Sequence, residues 1–267
     1  MGMHLPLSSA IVARLDVLPR AGSTNDELVA RASGGDLPHL SVLATTNQTA
    51  GRGRLGRDWV AREGKALAVS VFLGTGAVSP DRLGWLPLLT GLAMTRAVGL
   101  LVEGHEVTLK WPNDVHVNGL KISGILAELV PGIGVVIGAG LNLTMTAAEL
   151  PTPTSTSLAL NGWGDGREAV DDAMLDAALS TYLNELDSLY SAFAAAGFDA
   201  GASGLRTEVC AACNTIGRSV RVDLPDGDQL FGAATGIDDS GRLVVAGTSF
   251  DGVRAIAAGD VTHLRYA

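Results

Sequence analysis

The chain is short of cysteine, of basic charge and of long apolar runs, and each shortage removes a class of protein. Only two cysteines occur among 267 residues, Cys210 and Cys213. They form one Cys-x-x-Cys with no second pair and no histidine at a spacing that would complete a zinc site, so they read as two reduced thiols without catalytic work. Lys and Arg number 19 against 28 Asp and Glu, for a net charge of −9. A duplex nucleic-acid binder needs a basic face to displace counterions, and this balance argues against one. No uninterrupted stretch reaches the roughly 18 apolar residues of a membrane span, and the N-terminus lacks a basic region followed by an apolar stretch and a cleavage site. A cytoplasmic protein with no membrane attachment is expected. Internal repeats are missing too, and no Gly-Lys-Ser/Thr follows a glycine-rich run to make a P-loop.

What is present describes a globular, loop-rich enzyme: 47% hydrophobic residues, 18% charged residues and 34 glycines. The length accommodates one large domain or a large and a small one. Residues 46 to 59 read Thr-Asn-Gln-Thr-Ala-Gly-Arg-Gly-Arg-Leu-Gly-Arg-Asp-Trp, three arginines and three glycines between two apolar, strand-like runs (40–44 and 66–72). Glycine lets the backbone approach a ligand closely, and each guanidinium offers planar donors suited to phosphate or carboxylate. The segment therefore reads as a loop that closes on an anion, and Trp59 at its end is an aromatic that a solvated loop does not need. Without an anion, Arg52, Arg54 and Arg57 are expected to repel one another with no partner to offset it, leaving the loop mobile.

Around this loop the pattern alternates between helix and strand. Ala21 to Leu28 reads as a turn entering a helix, with Ser23 and Thr24 able to cap free N–H groups and Leu28, Val29 and Ala32 as its apolar stripe. A strand is expected at 66–73 and a long apolar helix at 83–102. Asn118-Gly119 between β-branched flanks is a two-residue hairpin turn, which puts Lys121 just past the turn on an otherwise apolar strand. Residues 135–143 read as a buried strand interrupted by Gly138 and Gly140, where a ligand or a second backbone comes close, and Asn142 sits polar among apolar neighbours. Apolar residues at Leu175, Leu179, Tyr182, Leu186, Leu189 and Phe193 mark one amphipathic helix over 171–196. After a small, glycine-rich stretch at 197–204, short strands punctuated by Pro225-Asp226-Gly227-Asp228 and Asp238-Asp239-Ser240-Gly241 predict a small antiparallel barrel of about 50 residues.

Five of these blocks, in order and in spacing, resemble the biotin protein ligase family: Ser23-Thr24-Asn25; Gln48 with the arginine loop through Trp59; Lys110-Trp111-Pro112-Asn113-Asp114; Lys121-Ile122-Ser123-Gly124-Ile125-Leu126; and Gly138-Ala139-Gly140-Leu141-Asn142. The resemblance covers nearly the whole chain. It implies an α+β fold: a catalytic domain over 1–214 with a mixed β-sheet flanked by helices, and a C-terminal SH3-like β-barrel over 215–267. It implies ATP and biotin as substrates, with Mg²⁺ arriving on ATP and no dedicated metal site in the protein. Biotin is adenylated to biotinyl-5′-AMP and then moved to a lysine of a biotin carboxyl carrier domain of a carboxylase.

By the same resemblance, Lys121 and Arg54 are the catalytic cations. Ser23, Thr24, Asn25, Gln48, Gly51, Arg52, Gly53, Arg54, Lys121 and Gly124 line the biotin pocket, the two hydroxyls as donors to the ureido carbonyl. The nucleotide side falls to Arg52, Arg54, Arg57, Trp59, Lys110, Asn113, Lys121 and Asn142. A carboxylate and a triphosphate repel as they meet, so fixed cations at the point of transfer fit that chemistry. Only 22 residues precede Ser23, too few for the DNA-binding domain of the regulatory members, so a ligase without operator binding is expected, as a monomer or weak homodimer. A lipoate-protein ligase shares the fold and the adenylating logic and is the nearest competitor; a biotin-responsive regulator is the other alternative.

Overall fold

The computed structural model describes residues 3–264 apart from residues 36, 77 and 168. In chain order the elements are α1 (Pro6–Ile11), β1 (Arg14–Val17), α2 (Thr24–Ser33), β2 (Ser41–Thr45), β3 (Gln48–Arg52), β4 (Asp58–Ala61), β5 (Ala66–Gly74), α3 (Pro80–Leu83), α4 (Leu86–Leu101), β6 (Val107–Lys110), β7 (Asp114–Val117), β8 (Leu120–Val130), β9 (Gly134–Asn142), α5 (Asp172–Ala195), α6 (Leu205–Ala212), β10 (Ser219–Asp223), β11 (Gln229–Ile237), β12 (Leu243–Gly247), β13 (Val253–Ile256) and β14 (Asp260–His263).

Seven strands form one sheet in the order β1-β2-β5-β9-β8-β7-β6. Only β1 and β2 run parallel, so the sheet is mixed, as expected. The central strands β5 and β9 are buried almost throughout, which is why they read as apolar runs rather than as alternating ones. Helices α4 and α5 pack together on one face of the sheet, and α2 covers the other through Leu28 and Ala32 against Leu43, Phe72 and Val136. Asn118 and Gly119 both adopt positive φ (50° and 80°), the conformation a tight β7–β8 hairpin requires. The segment Pro80–Leu101 reaches the length and hydropathy of a membrane span, but 72% of its most apolar window is buried inside the protein, so it is a core helix.

The C-terminal strands correct one expectation. They form a five-stranded antiparallel sheet in the order β13-β12-β11-β10-β14, bent at a bulge between Ala234 and Gly236, and among the described residues β13 and β14 do not pair to close a barrel. The sheet closes instead onto the larger one. Trp85 Nε1 donates to Asp239 O at 2.8 Å and Trp111 Nε1 to Gly241 O at 3.2 Å, each buried indole finding its acceptor across the junction. The backbones meet so closely that a Cβ on Gly84 would lie 2.4 Å from Ser240 O. Side chains of both sheets share one apolar core.

Candidate active site

Three glycines on the central strands form the floor of a pocket. Gly138 and Gly140 lie two apart on β9 and face the same side, and Gly124 on β8 is the register partner of Gly140. A different side chain lies over each. A Cβ on Gly138 would be 2.4 Å from Asn25 Oδ1, one on Gly140 would be 2.1 Å from the Trp59 ring, and one on Gly124 would be 3.3 Å from Lys121 Nζ. The glycines are there because these groups, and whatever binds between them, need the space.

At the Gly138 end the groups are buried and, apart from the Glu128 carboxylate that Asn25 meets, neutral. The Ser23 hydroxyl caps α2 by accepting from Asp26 N at 3.2 Å. Thr24 N donates to Gln48 Oε1 at 2.9 Å, and the Thr24 hydroxyl lies 3.1 Å from the same oxygen. Asn25 Nδ2 donates to Glu128 Oε1 at 2.8 Å. Gln48 reaches in turn to Trp59 O, 3.4 Å from its Nε2, which ties this end to the arginine hairpin β3–β4.

At the Gly124 end the groups are charged. Lys121 Nζ sits 2.6 Å from Asp114 Oδ1 and 5.9 Å from the centre of the Trp59 ring, which it faces as a cation over a π-face. Burial lowers the pKa of Arg54, partly countered by nearby Asp114, and its Nε has no hydrogen-bond partner among the described residues. A half-buried guanidinium whose buried Nε has a free donor is poised for an anion. Trp59 Nε1 is likewise buried and unpaired among those residues.

The pocket brings together Ser23, Thr24, Asn25, Gln48, Arg52, Gly53, Arg54, Arg57, Trp59, Asn113, Lys121 and Gly124. Three expected site residues lie elsewhere. Gly51 packs against Gln48 and the Trp59 carbonyl instead of facing the pocket, and a Cβ there would be 2.0 Å from Gln48 Nε2. Lys110 lines an adjoining cleft with Arg57, Asp114 and Arg221, and burial lowers its pKa. Asn142 Nδ2 donates to Thr156 O at 2.8 Å and so anchors the segment after β9.

The arginine loop departs from expectation in a second way. Arg52 is ion-paired with Asp26 and, at 3.0 Å, with Glu128, and its pKa is raised chiefly by Glu128. Arg57 pairs with Asp260 of the C-terminal sheet. Two of the three arginines thus have carboxylate partners without any ligand; among the described residues Arg54 has none. The partners come from α2, β8 and β14, too far along the chain for local reading to find them.

Two family models match the chain: the "Biotin/lipoate A/B protein ligase family" over residues 17–142 and the "Biotin protein ligase C terminal domain" over 215–264. The first embraces biotin and lipoate ligases alike, whereas the second belongs to biotin ligases. A "Biotin--[acetyl-CoA-carboxylase] ligase" of Mycobacterium tuberculosis is 38% identical over 257 residues, covering 94% of this chain and 90% of the relative. The chain belongs to the biotin protein ligase family. A ligase of the same title from Paracoccus denitrificans is 30% identical and is covered over 98% of its length. Among solved structures, the "Biotin protein ligase from Aquifex aeolicus in complex with biotin and ATP" superposes with a TM-score of 0.73 at 25% identity, covering 95% of this chain and all of that one.

Residues with no local signature complete the pocket. Asp114 pairs with Lys121, Asp26 and Glu128 hold Arg52, and Asp260 holds Arg57. Ser70, behind the pocket wall, lies against both Thr24 and Asn25. Its signal was visible: a single hydroxyl in the middle of the apolar run Ala-Leu-Ala-Val-Ser-Val-Phe-Leu.

Proposed function

We propose that biotin lies along the glycine floor with its fused rings over the Thr24 and Gln48 end and its carboxylate toward Lys121, and that ATP meets it there. The carboxylate attacks the α-phosphate, giving biotinyl-5′-adenylate and pyrophosphate. A lysine amine of an acceptor then attacks the anhydride carbonyl and expels AMP. Lys121 and Arg54 offset the repulsion between carboxylate and phosphate and stabilise the charge that builds on the transferring phosphorus. The observation that supports this reading most is the convergence of Lys121, Arg54 and Trp59 at one end of a pocket whose other end is lined by the hydrogen-bonding side chains Thr24, Asn25 and Gln48. Trp59, together with Asn113, forms the wall against which the adenosine packs. Mg²⁺ would enter on the triphosphate.

The acceptor we assign is a biotin carboxyl carrier domain of a carboxylase, and the location is the cytoplasm, where two free thiols such as Cys210 and Cys213 stay reduced. Residues 1–214 act as the catalytic domain. Residues 215–267 act as a second domain that contributes Asp260 to the pocket and steadies Arg57.

The test is transfer of label to a purified carrier domain, with biotin and with lipoate supplied in parallel and ATP withheld in a control. Labelling that needs both biotin and ATP is expected. Lipoate transferred at a comparable rate would overturn the assignment.

A further inference from the structure

Only three of the 19 basic residues are lysines, Lys65, Lys110 and Lys121; the rest are arginines. That proportion bears directly on a protein whose proposed intermediate is an acyl phosphate anhydride. When a neutral amine attacks the anhydride carbonyl, a C–N bond forms and the acyl C–O bond to phosphate breaks. AMP leaves with the electron pair, and the surplus proton of the amine goes to water. A guanidinium cannot follow this path, because it stays protonated and delocalised at any working pH, yet its planar fork holds phosphate well. Arg52, Arg54 and Arg57 can therefore line the pocket without being acylated in it.

Each lysine is held back by its surroundings. Lys121, which faces the pocket, has Nζ 2.6 Å from Asp114 Oδ1. In that ion pair it is an ammonium, with three donors and no lone pair. Lys65 exposes 23% of its side chain and pairs with Glu149 at 3.6 Å. Lys110 is the sharpest case. Burial lowers its pKa, Asp114 opposes this, and Lys121 and Arg57 add to it, so of the three it is the one whose neutral form is favoured. Its shelter is steric: it is half-buried beside the fully buried Trp111, in the cleft adjoining the pocket. The thiols add no ready acceptor, since Cys213 is buried and burial raises the pKa of Cys210.

We infer that this protein is inert to its own intermediate: none of its side chains offers an exposed, unpaired amine, so the adenylate loses its acyl group to no residue of the ligase before an acceptor lysine arrives. The consequence is selectivity. A reactive amine on the ligase itself would sit at an effective concentration on the order of millimolar and would outcompete a dilute acceptor. The inference rests on the reading that the pocket makes biotinyl-5′-adenylate.

The experiment supplies preformed biotinyl-5′-adenylate in excess over the site, with a lysine-bearing peptide in the same tube and no carrier domain. Biotin on each proteolytic peptide is then read by mass spectrometry. The unmodified protein is compared with Arg20→Lys and Arg62→Lys, with thermal unfolding as a check on folding. Arg20 and Arg62 are exposed and adjoin Ala21 and Ala61, the two residues whose backbones pair with Gln48. The added peptide and the lysines placed at 20 and 62 should be labelled. Lys65, Lys110 and Lys121 should be labelled more slowly by on the order of tenfold or more, the cost of freeing a buried or ion-paired amine. A native lysine labelled as fast as position 20 or 62, with Lys110 the first to watch, would overturn the inference. So would introduced lysines that stay unlabelled while the peptide is labelled. Absence of biotin-dependent pyrophosphate exchange into ATP would instead overturn the function proposed for the pocket, whatever the labelling pattern.

Discussion

The two ends of this pocket are built from different materials. At the Thr24 end, Thr24, Asn25, Gln48 and Ser70 are buried and joined by hydrogen bonds, Ser23 caps α2 beside them, and the one charged partner is Glu128, which accepts from Asn25. At the Lys121 end the pairs Lys121–Asp114 and Arg57–Asp260 are partly exposed, and Arg52, whose carboxylate partners Asp26 and Glu128 lie beside Ser23 and Asn25, is half exposed. Buried neutral networks are costly to break and hold one geometry, whereas half-exposed ion pairs contribute little net stability and exchange easily. The neutral end is therefore suited to choosing a substrate. The charged end is suited to trading one anion for another, carboxylate side chains giving way to phosphate.

The largest effect should come at the charged end, from the group nearest the chemistry. Lys121→Ala is expected to reduce adenylate formation on the order of a hundredfold or more, as removal of one preorganised electrostatic contact does elsewhere. Biotin-dependent exchange of pyrophosphate into ATP measures this step without an acceptor. Because Lys121 is partly exposed and its partner Asp114 remains near Lys110, the unfolding temperature should hardly move. Near-native exchange would remove Lys121 from the mechanism and with it the division of labour between the two ends.

A smaller effect should appear in the pH dependence of stability, and it comes from the junction of the two sheets. Burial pushes the His116 imidazole down to about 4 from its ordinary 6.5, and His263 likewise to about 4. Between those values the unfolded chain binds protons that the folded one refuses. Stability is then fully present above about 6.5 and lost as the pH falls toward 4. His116→Gln should flatten that slope by on the order of 2 kcal/mol between those limits, seen by denaturant unfolding at a series of pH values. An unchanged slope would show that His116 is not held neutral by the fold.

The smallest effect should follow Glu128→Gln. The Arg52 pair is half exposed, so its loss should cost less than about 1 kcal/mol. Hydrogen exchange over residues 48–59 of the free protein should nonetheless quicken, and biotin with ATP should restore protection. Equal protection with and without ligand in both proteins would make the hairpin a fixed element.

How far these regions were legible in the sequence follows the same divide. The arginine loop, the Asn118-Gly119 turn with Lys121 beside it and the glycines of β9 carry their chemistry in adjacent residues, and each lies where the pattern put it. The acidic partners do not: Asp26, Glu128 and Asp260 reach the arginines only through strand order and the docking of the C-terminal sheet. A local reading therefore saw repelling cations where the fold supplies counter-charges. The polarity of Asn142 among apolar neighbours identifies a buried amide but does not say that the amide turns toward Thr156. Barrel closure failed for a related reason, since alternation and turns reveal strands whereas pairing of β13 with β14 depends on how the sheet bends over Trp85 and Trp111.

Arg54 tests the separation of the two ends most directly, because it is the one loop arginine with no carboxylate partner and a buried donor unused among the described residues. The measurement is a pair on Arg54→Ala: the Kd for biotin without ATP, by calorimetry, and the rate at which preformed biotinyl-5′-adenylate leaves the protein. The biotin Kd should stay within about threefold, because the neutral end is untouched. Release of the adenylate should quicken on the order of tenfold to a hundredfold, the worth of a charge-assisted contact in a desolvated site. An Arg54→Ala protein that holds the adenylate as tightly as the parent, or one that loses biotin and adenylate in equal measure, would contradict the account.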